Sequence, residues 1–169
     1  MALLVGVGSA AVADATDPQL RHVRSNNPSL AALITRATEQ SITFRGLIDA
    51  IDASDGIVYV QPGRCRYSRA CVVGVTATGT HRILRVSVVM RHPDVDLMAF
   101  IGHELQHAIE ILRNPHVRKT TDMYFFYSRL GTQGEGGLDF ETTAAIKVGD
   151  AVREEIRASA LTAPQATSH

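Results

Sequence analysis

The chain has 169 residues, of which 45% are hydrophobic and 20% charged, the composition of one globular domain long enough to bury a core. Lys and Arg (17) balance Asp and Glu (17), so the formal net charge is zero and the basic footprint of a nucleic-acid binder is missing. Every apolar run is too short to span a membrane as a helix, and no internal repeat is present.

In chain order, Ala2-Leu3-Leu4-Val5-Gly6-Val7 is a short apolar run, and Ala11-Val12-Ala13 has the form of a signal-peptidase site. Residues 1–13 therefore read as the remnant of a truncated signal peptide, without its basic region, or else as an ordinary hydrophobic start. The expectation is export, to a periplasm or the cell exterior, with cytoplasmic residence as the alternative. A single domain is expected over 14–160, with a disordered tail at 161–169.

Pro28 to about Ala53 reads as one helix, with Leu30, Leu33, Ile34, Ala37, Ile42 and Leu47 as its apolar positions. Three strands rich in Val and Ile follow, over Ile57–Gln61, Ala70–Ala77 and Arg82–Met90. Thr78-Gly79-Thr80 predicts a hairpin turn between the last two. Cys65 and Cys71 flank a basic, turn-like stretch and could close a small disulfide loop, which would suit an exported protein, or remain two free thiols. Helices are expected over 94–114, about 120–130, and 139–158, with a glycine-rich loop at Gly131 to Gly137 bordering a cleft. The fold class is α+β: an N-terminal helix, a small antiparallel sheet, then helices.

The helix over 94–114 carries the chemistry. Leu97, Met98, Ile101, Leu105, Ala108, Ile109 and Leu112 form its core stripe at about 100° per residue. His103 and His107 stand roughly opposite, four residues apart and therefore side by side, where both imidazoles can reach one zinc ion. Glu104 projects beside them, placed to act as a general base. The competing explanation is two solvent-exposed histidines on an ordinary helix. Pro93, Asp94 and Asp96 suit the start of this helix, and Asn114-Pro115 its end. Gly102 suggests that another backbone approaches closely.

A catalytic zinc site needs a third protein ligand. Glu141 is the candidate, expected on the apolar stripe of the last helix with Ala144, Ala145, Val148 and Val152, where a carboxylate calls for a cationic partner. The alternative is a first-turn carboxylate stabilised by the helix N-terminus. Glu110 shares the histidine face and is expected to support a ligand or to be solvated. No pattern favours Glu135, Asp139, His116, His92 or His81.

His103-Glu104-Leu105-Gln106-His107, followed after 33 intervening residues by Glu141-Thr142-Thr143-Ala144, resembles the zincin metallopeptidases, and among them the gluzincins, of which thermolysin is one. The resemblance covers about residues 94–150. It implies a minimal zincin catalytic domain in which His103, His107 and Glu141 hold Zn²⁺, Glu104 is the catalytic base, and a peptide or protein is the substrate. A sheet edge along the cleft would pair with that substrate. The metzincin continuation is excluded by Glu110 and Arg113, and a di-iron site by the lack of a second Glu-x-x-His. Phe140 stands where thermolysin-like enzymes usually have Asn.

The implied reaction uses a water activated by zinc, with Glu104 taking its proton and giving it to the leaving amine. Tyr124, Tyr127 and His116 are the candidates for a further oxyanion donor, with packing as the alternative role for the tyrosines. Two other functions fit the same residues: a non-catalytic zinc-containing interaction domain, and a metal-dependent hydrolase of a non-peptide bond.

Overall fold

In a computed structural model of the chain, the described residues are 21–130 and 140–162. The order of elements is β1 (Val23–Arg24), α1 (Pro28–Gln40), α2 (Ile42–Asp52), β2 (Gly56–Pro62), β3 (Ala70–Thr78), β4 (His81–Val88), α3 (Asp94–Leu112), α4 (Thr120–Leu130) and α5 (Thr143–Thr162). Among the described residues the class is α+β, with five helices and one four-stranded sheet. The apolar N-terminal run, the Gly131 to Gly137 loop and nearly all of the expected tail lie outside the described residues.

The helix expected from Pro28 to Ala53 is two helices. Asn27 caps the first, its Oδ1 accepting from the Leu30 amide at 3.0 Å. Ser41 ends it in an extended conformation and caps the second, with its Oγ accepting from the Phe44 amide at 2.9 Å. The break shifts the apolar phase: Phe44 is fully buried, whereas Ile42, counted above as a core position, is 73% exposed. Glu155 of α5 reinforces the junction by accepting from Ser41 Oγ, from the Thr43 amide (3.0 Å) and from Thr43 Oγ1 (2.6 Å). A carboxylate at a helix N-terminus satisfies donors that the helix itself cannot.

The sheet is mixed rather than antiparallel, in the order β1-β2-β4-β3. The β3–β4 hairpin turns at Gly79, whose φ of +57° favours glycine, and these strands are antiparallel. The connection over 63–69 carries the chain past one strand position, so that β4 fills the gap beside β2 and runs parallel to it. The two-residue β1, too short for any sequence pattern, adds a second parallel pair. It is fixed by the His22 amide donating to Asp52 Oδ1 at 2.7 Å.

One face of the sheet, with Val58, Val60, Val75, Leu84, Val86 and Val88, is buried in a core shared with α1, α2, α3 and α5. A bulge at Val73, between the pairs Val72↔Val86 and Gly74↔Arg85, keeps this alternation intact. Without the extra residue Val75 would turn to the other face. Arg82 occupies the same inner face at 3% exposure. Its guanidinium forks onto both carboxylate oxygens of Asp55 (2.8 and 2.7 Å) and donates to the carbonyls of Ile111, Leu112 and Asn114 at the end of α3. The orphan carbonyls of the central helix are thereby satisfied from the sheet.

The expected core stripe of α3 is buried throughout, from Leu97 to Leu112. Gly102 does lie at a close approach, though to a side chain and not a backbone. A Cβ there would stand 3.0 Å from Val152 Cγ2 of α5. Gly149 returns the favour on the facing helix, letting α5 lie against His103.

Candidate metal centre

His103 and His107 project from successive turns of α3 with their Nε2 atoms 3.2 Å apart. Glu141 Oε1 lies 3.4 Å from His103 Nε2. Ligand atoms of all three residues fall within 4.8 Å of one another. Two atoms each about 2.0–2.1 Å from one ion at the tetrahedral angle stand about 3.3 Å apart. The His103–His107 and His103–Glu141 edges match that spacing; without an ion, the 3.2 Å contact of the two imidazoles is one N–H donating to the other ring's lone pair. His103, His107 and Glu141 are thus a group that could hold one metal ion.

The helix face bearing this pair is not a solvated polar face. His107 is 5% and Glu104 6% exposed, because β3, α4 and the segment before α5 roof them over. The explanation by two exposed histidines thus fails. Burial pushes the Glu104 carboxyl above the usual carboxylate range, and Glu141 adds to this against the opposing pull of His107 and His103. For His103, burial works to lower the pKa, but the hydrogen bond and charge of Glu141 with the charge of Glu104 outweigh it and leave it raised. Glu141 is held below its usual range chiefly by the hydrogen bond with His103.

Glu141 reaches the site from a position other than the one its sequence pattern suggested. It precedes α5 and lies on neither its apolar stripe nor its first turn. Thr142 caps the helix, with its Oγ1 accepting from the Ala145 amide at 3.1 Å and its carbonyl from the Ile146 amide. A threonine that can bond the backbone two or three residues on competes with helix continuation, and so sets the boundary just after Glu141.

Glu110 holds the His107 imidazole. Its Oε2 accepts from His107 Nδ1 at 3.0 Å, and its Oε1 accepts from Thr142 Oγ1 at 2.7 Å. Burial works against its ionisation, but hydrogen bonds from His107 and Thr142 hold the carboxyl below its usual range. With Nδ1 as the donor, Nε2 of His107 keeps its lone pair for a metal. Tyr127, named above for an oxyanion, does something else. Its one hydroxyl proton is shared between Glu110 Oε2 (3.2 Å) and the His107 carbonyl (3.1 Å), behind the imidazole. Burial and Glu110 push its pKa upward, so it stays a donor. Tyr124 packs edge-on against Phe140, and His116 is exposed away from the site. His81 and His92 do not join the cluster, while Glu135 and Asp139 lie outside the described residues.

Two concavities flank Glu104. A small pit of about 60 Å³ is lined by Cys71, Val72, Met123, Tyr127 and Phe140. An open cleft of about 520 Å³ on the other side is lined by Tyr67, Arg69, Phe100, Ile146 and Arg153. Their shared wall is Ser68 and Ala70, where the loop meets the edge strand β3, with Glu104 and Glu141. The edge is taken up near its far end, where the Ala77 amide donates to the Arg118 carbonyl. Cys65 and Cys71 are joined in a disulfide that closes this wall. Among the described residues no helix is long and apolar enough to cross a membrane. No family model, curated protein or solved structure matches the chain.

Proposed function

We propose that the chain is a zinc-dependent metallopeptidase, built as a minimal zincin-like catalytic domain of the gluzincin type. The observation that carries this is the convergence of His103, His107 and Glu141 within 4.8 Å beside a buried Glu104, at the meeting of a pit and a cleft. A zinc ion held by those three residues would supply Lewis acidity toward a carbonyl oxygen and toward water. Glu104, raised in pKa by its burial, takes a proton from the attacking water and passes it to the leaving amine. Glu110 holds the His107 imidazole in the required tautomer. An extended peptide would lie along the β3 edge beside Glu104, displacing Ser68 Oγ from the Ala70 carbonyl (2.6 Å) and Glu104 from the Val72 backbone, with its side chains entering the pit and the cleft in turn.

We place the protein in an oxidising compartment, periplasmic or extracellular, and the Cys65–Cys71 bridge supports that placement. The test is metal analysis together with Glu104→Gln. The wild type is expected to carry one zinc and cleave unfolded protein substrates, while the variant keeps zinc and loses roughly 10²- to 10⁴-fold in rate. A wild type without zinc after reconstitution sinks the proposal, and so does a fully active Glu104→Gln.

A further inference from the structure

Glu141 is the one member of the site that no regular element holds. A carboxylate on a free segment loses conformational entropy each time it is brought to two buried imidazoles. Here the residues on both sides of it are pinned. Before it, the Phe140 ring stacks on Tyr127, with centroids 5.0 Å apart and planes 17° apart. After it, Thr142 donates to Glu110. Both anchors run to the same place, because the Tyr127 hydroxyl and the His107 imidazole both bond Glu110 Oε2.

We propose that Tyr127 is a positioning residue that sets Glu141 and His107 jointly, resting on the assignment of His103, His107 and Glu141 as a metal site. The ring of Tyr127 carries the Glu141 segment through Phe140. Its hydroxyl orients the imidazole through Glu110. Helix α4 supplies no ligand, yet through this one side chain it governs how tightly the site holds a divalent metal.

The two halves of the role separate by substitution. Tyr127→Phe deletes the hydroxyl and keeps the ring; Phe140→Leu keeps apolar bulk and deletes the stack. Zinc affinity is measured by competition with a chromogenic chelator, and ligand geometry by the visible spectrum of the Co²⁺-loaded full chain, with circular dichroism as the check on folding. Tyr127→Phe is expected to weaken zinc about 10- to 100-fold, the range for losing a group behind a ligand. Phe140→Leu is expected to weaken zinc and to shift the Co²⁺ bands toward those of Glu141→Ala. Should Tyr127→Phe fail to fold, Phe140→Leu carries the test alone. Zinc affinities within twofold of wild type and unchanged Co²⁺ spectra overturn the proposal. A wild type that binds neither metal overturns the metal assignment itself, which is a different result.

Discussion

His107 Nδ1 lies 3.0 Å from Glu110 Oε2, one turn further along the same helix. Each imidazole has only one nitrogen to spare for a metal, and this contact decides which. Glu110→Gln replaces the acceptor by an amide that presents one carbonyl oxygen and no charge. Zinc affinity is expected to fall about 10- to 100-fold with the helical circular dichroism unchanged. Chelator competition measures it, and a variant that holds zinc as tightly as the wild type shows that the contact is incidental.

The Asp55–Arg82 pair ties the sheet to the end of α3 and should appear in the pH dependence of stability. The hydrogen bond from Arg82 holds the Asp55 carboxyl below its usual range. The folded state therefore binds fewer protons than the unfolded state in acid. The stability contributed by Asp55 is complete above about pH 4 and is lost as pH falls through the lowered folded value. Asp55→Asn leaves a guanidinium that is 3% exposed without its counter-charge, at a cost of about 1–3 kcal/mol at pH 7. Urea melts of both proteins should differ at pH 7 and converge below pH 4; a gap that widens in acid contradicts this.

Ser41 serves two helices and one distant carboxylate. Ser41→Ala removes the cap of α2 and one of the donors to Glu155, and an N-cap alone is worth about 1 kcal/mol. For a domain of this size each such kcal/mol lowers the melting temperature by about 2–4 °C. Thermal unfolding is expected to show a loss in that range or somewhat above. Ser41→Asp, which restores a cap but places a second carboxylate against Glu155, should not recover the wild-type value.

The same residue shows what a linear pattern can and cannot carry. His103 and His107 were legible because four residues along a helix bring two side chains together whatever surrounds them. The β3–β4 hairpin was legible because Gly79 sits in a two-residue turn. The break at Ser41 was present only as a phase slip, the core passing from Ala37 to Phe44 with Ile42 turned outward, and Glu155, which reinforces it, lies more than a hundred residues away in the chain. Glu141 was legible as a residue but not as a position, since Thr142 ended the helix that an apolar periodicity seemed to extend through it. The parallel pairing of β2 with β4 and the Tyr127–Glu110–His107 contacts are products of packing between distant segments, for which a single sequence has no signal.

The loop closed by Cys65 and Cys71 bears on both stability and substrate binding. It forms one wall of the cleft through Tyr67, Ser68 and Arg69, and Cys71 lies at the start of β3, lining the pit with Glu104. A bridge across so few residues removes little chain entropy from the unfolded state, about 2 kcal/mol on the loop-closure relation. The Cys65→Ser, Cys71→Ser double variant should therefore still fold, with a melting temperature lower by about 4–8 °C. Its zinc affinity should match the wild type, because no ligand and no partner of a ligand lies on the loop. Peptide hydrolysis should change mainly in KM, since the wall that aligns an extended substrate loses its tether while Glu104 and the histidines stay in place. A double variant with wild-type KM would detach the loop from substrate binding, whereas loss of zinc would make the bridge part of the metal site's own support.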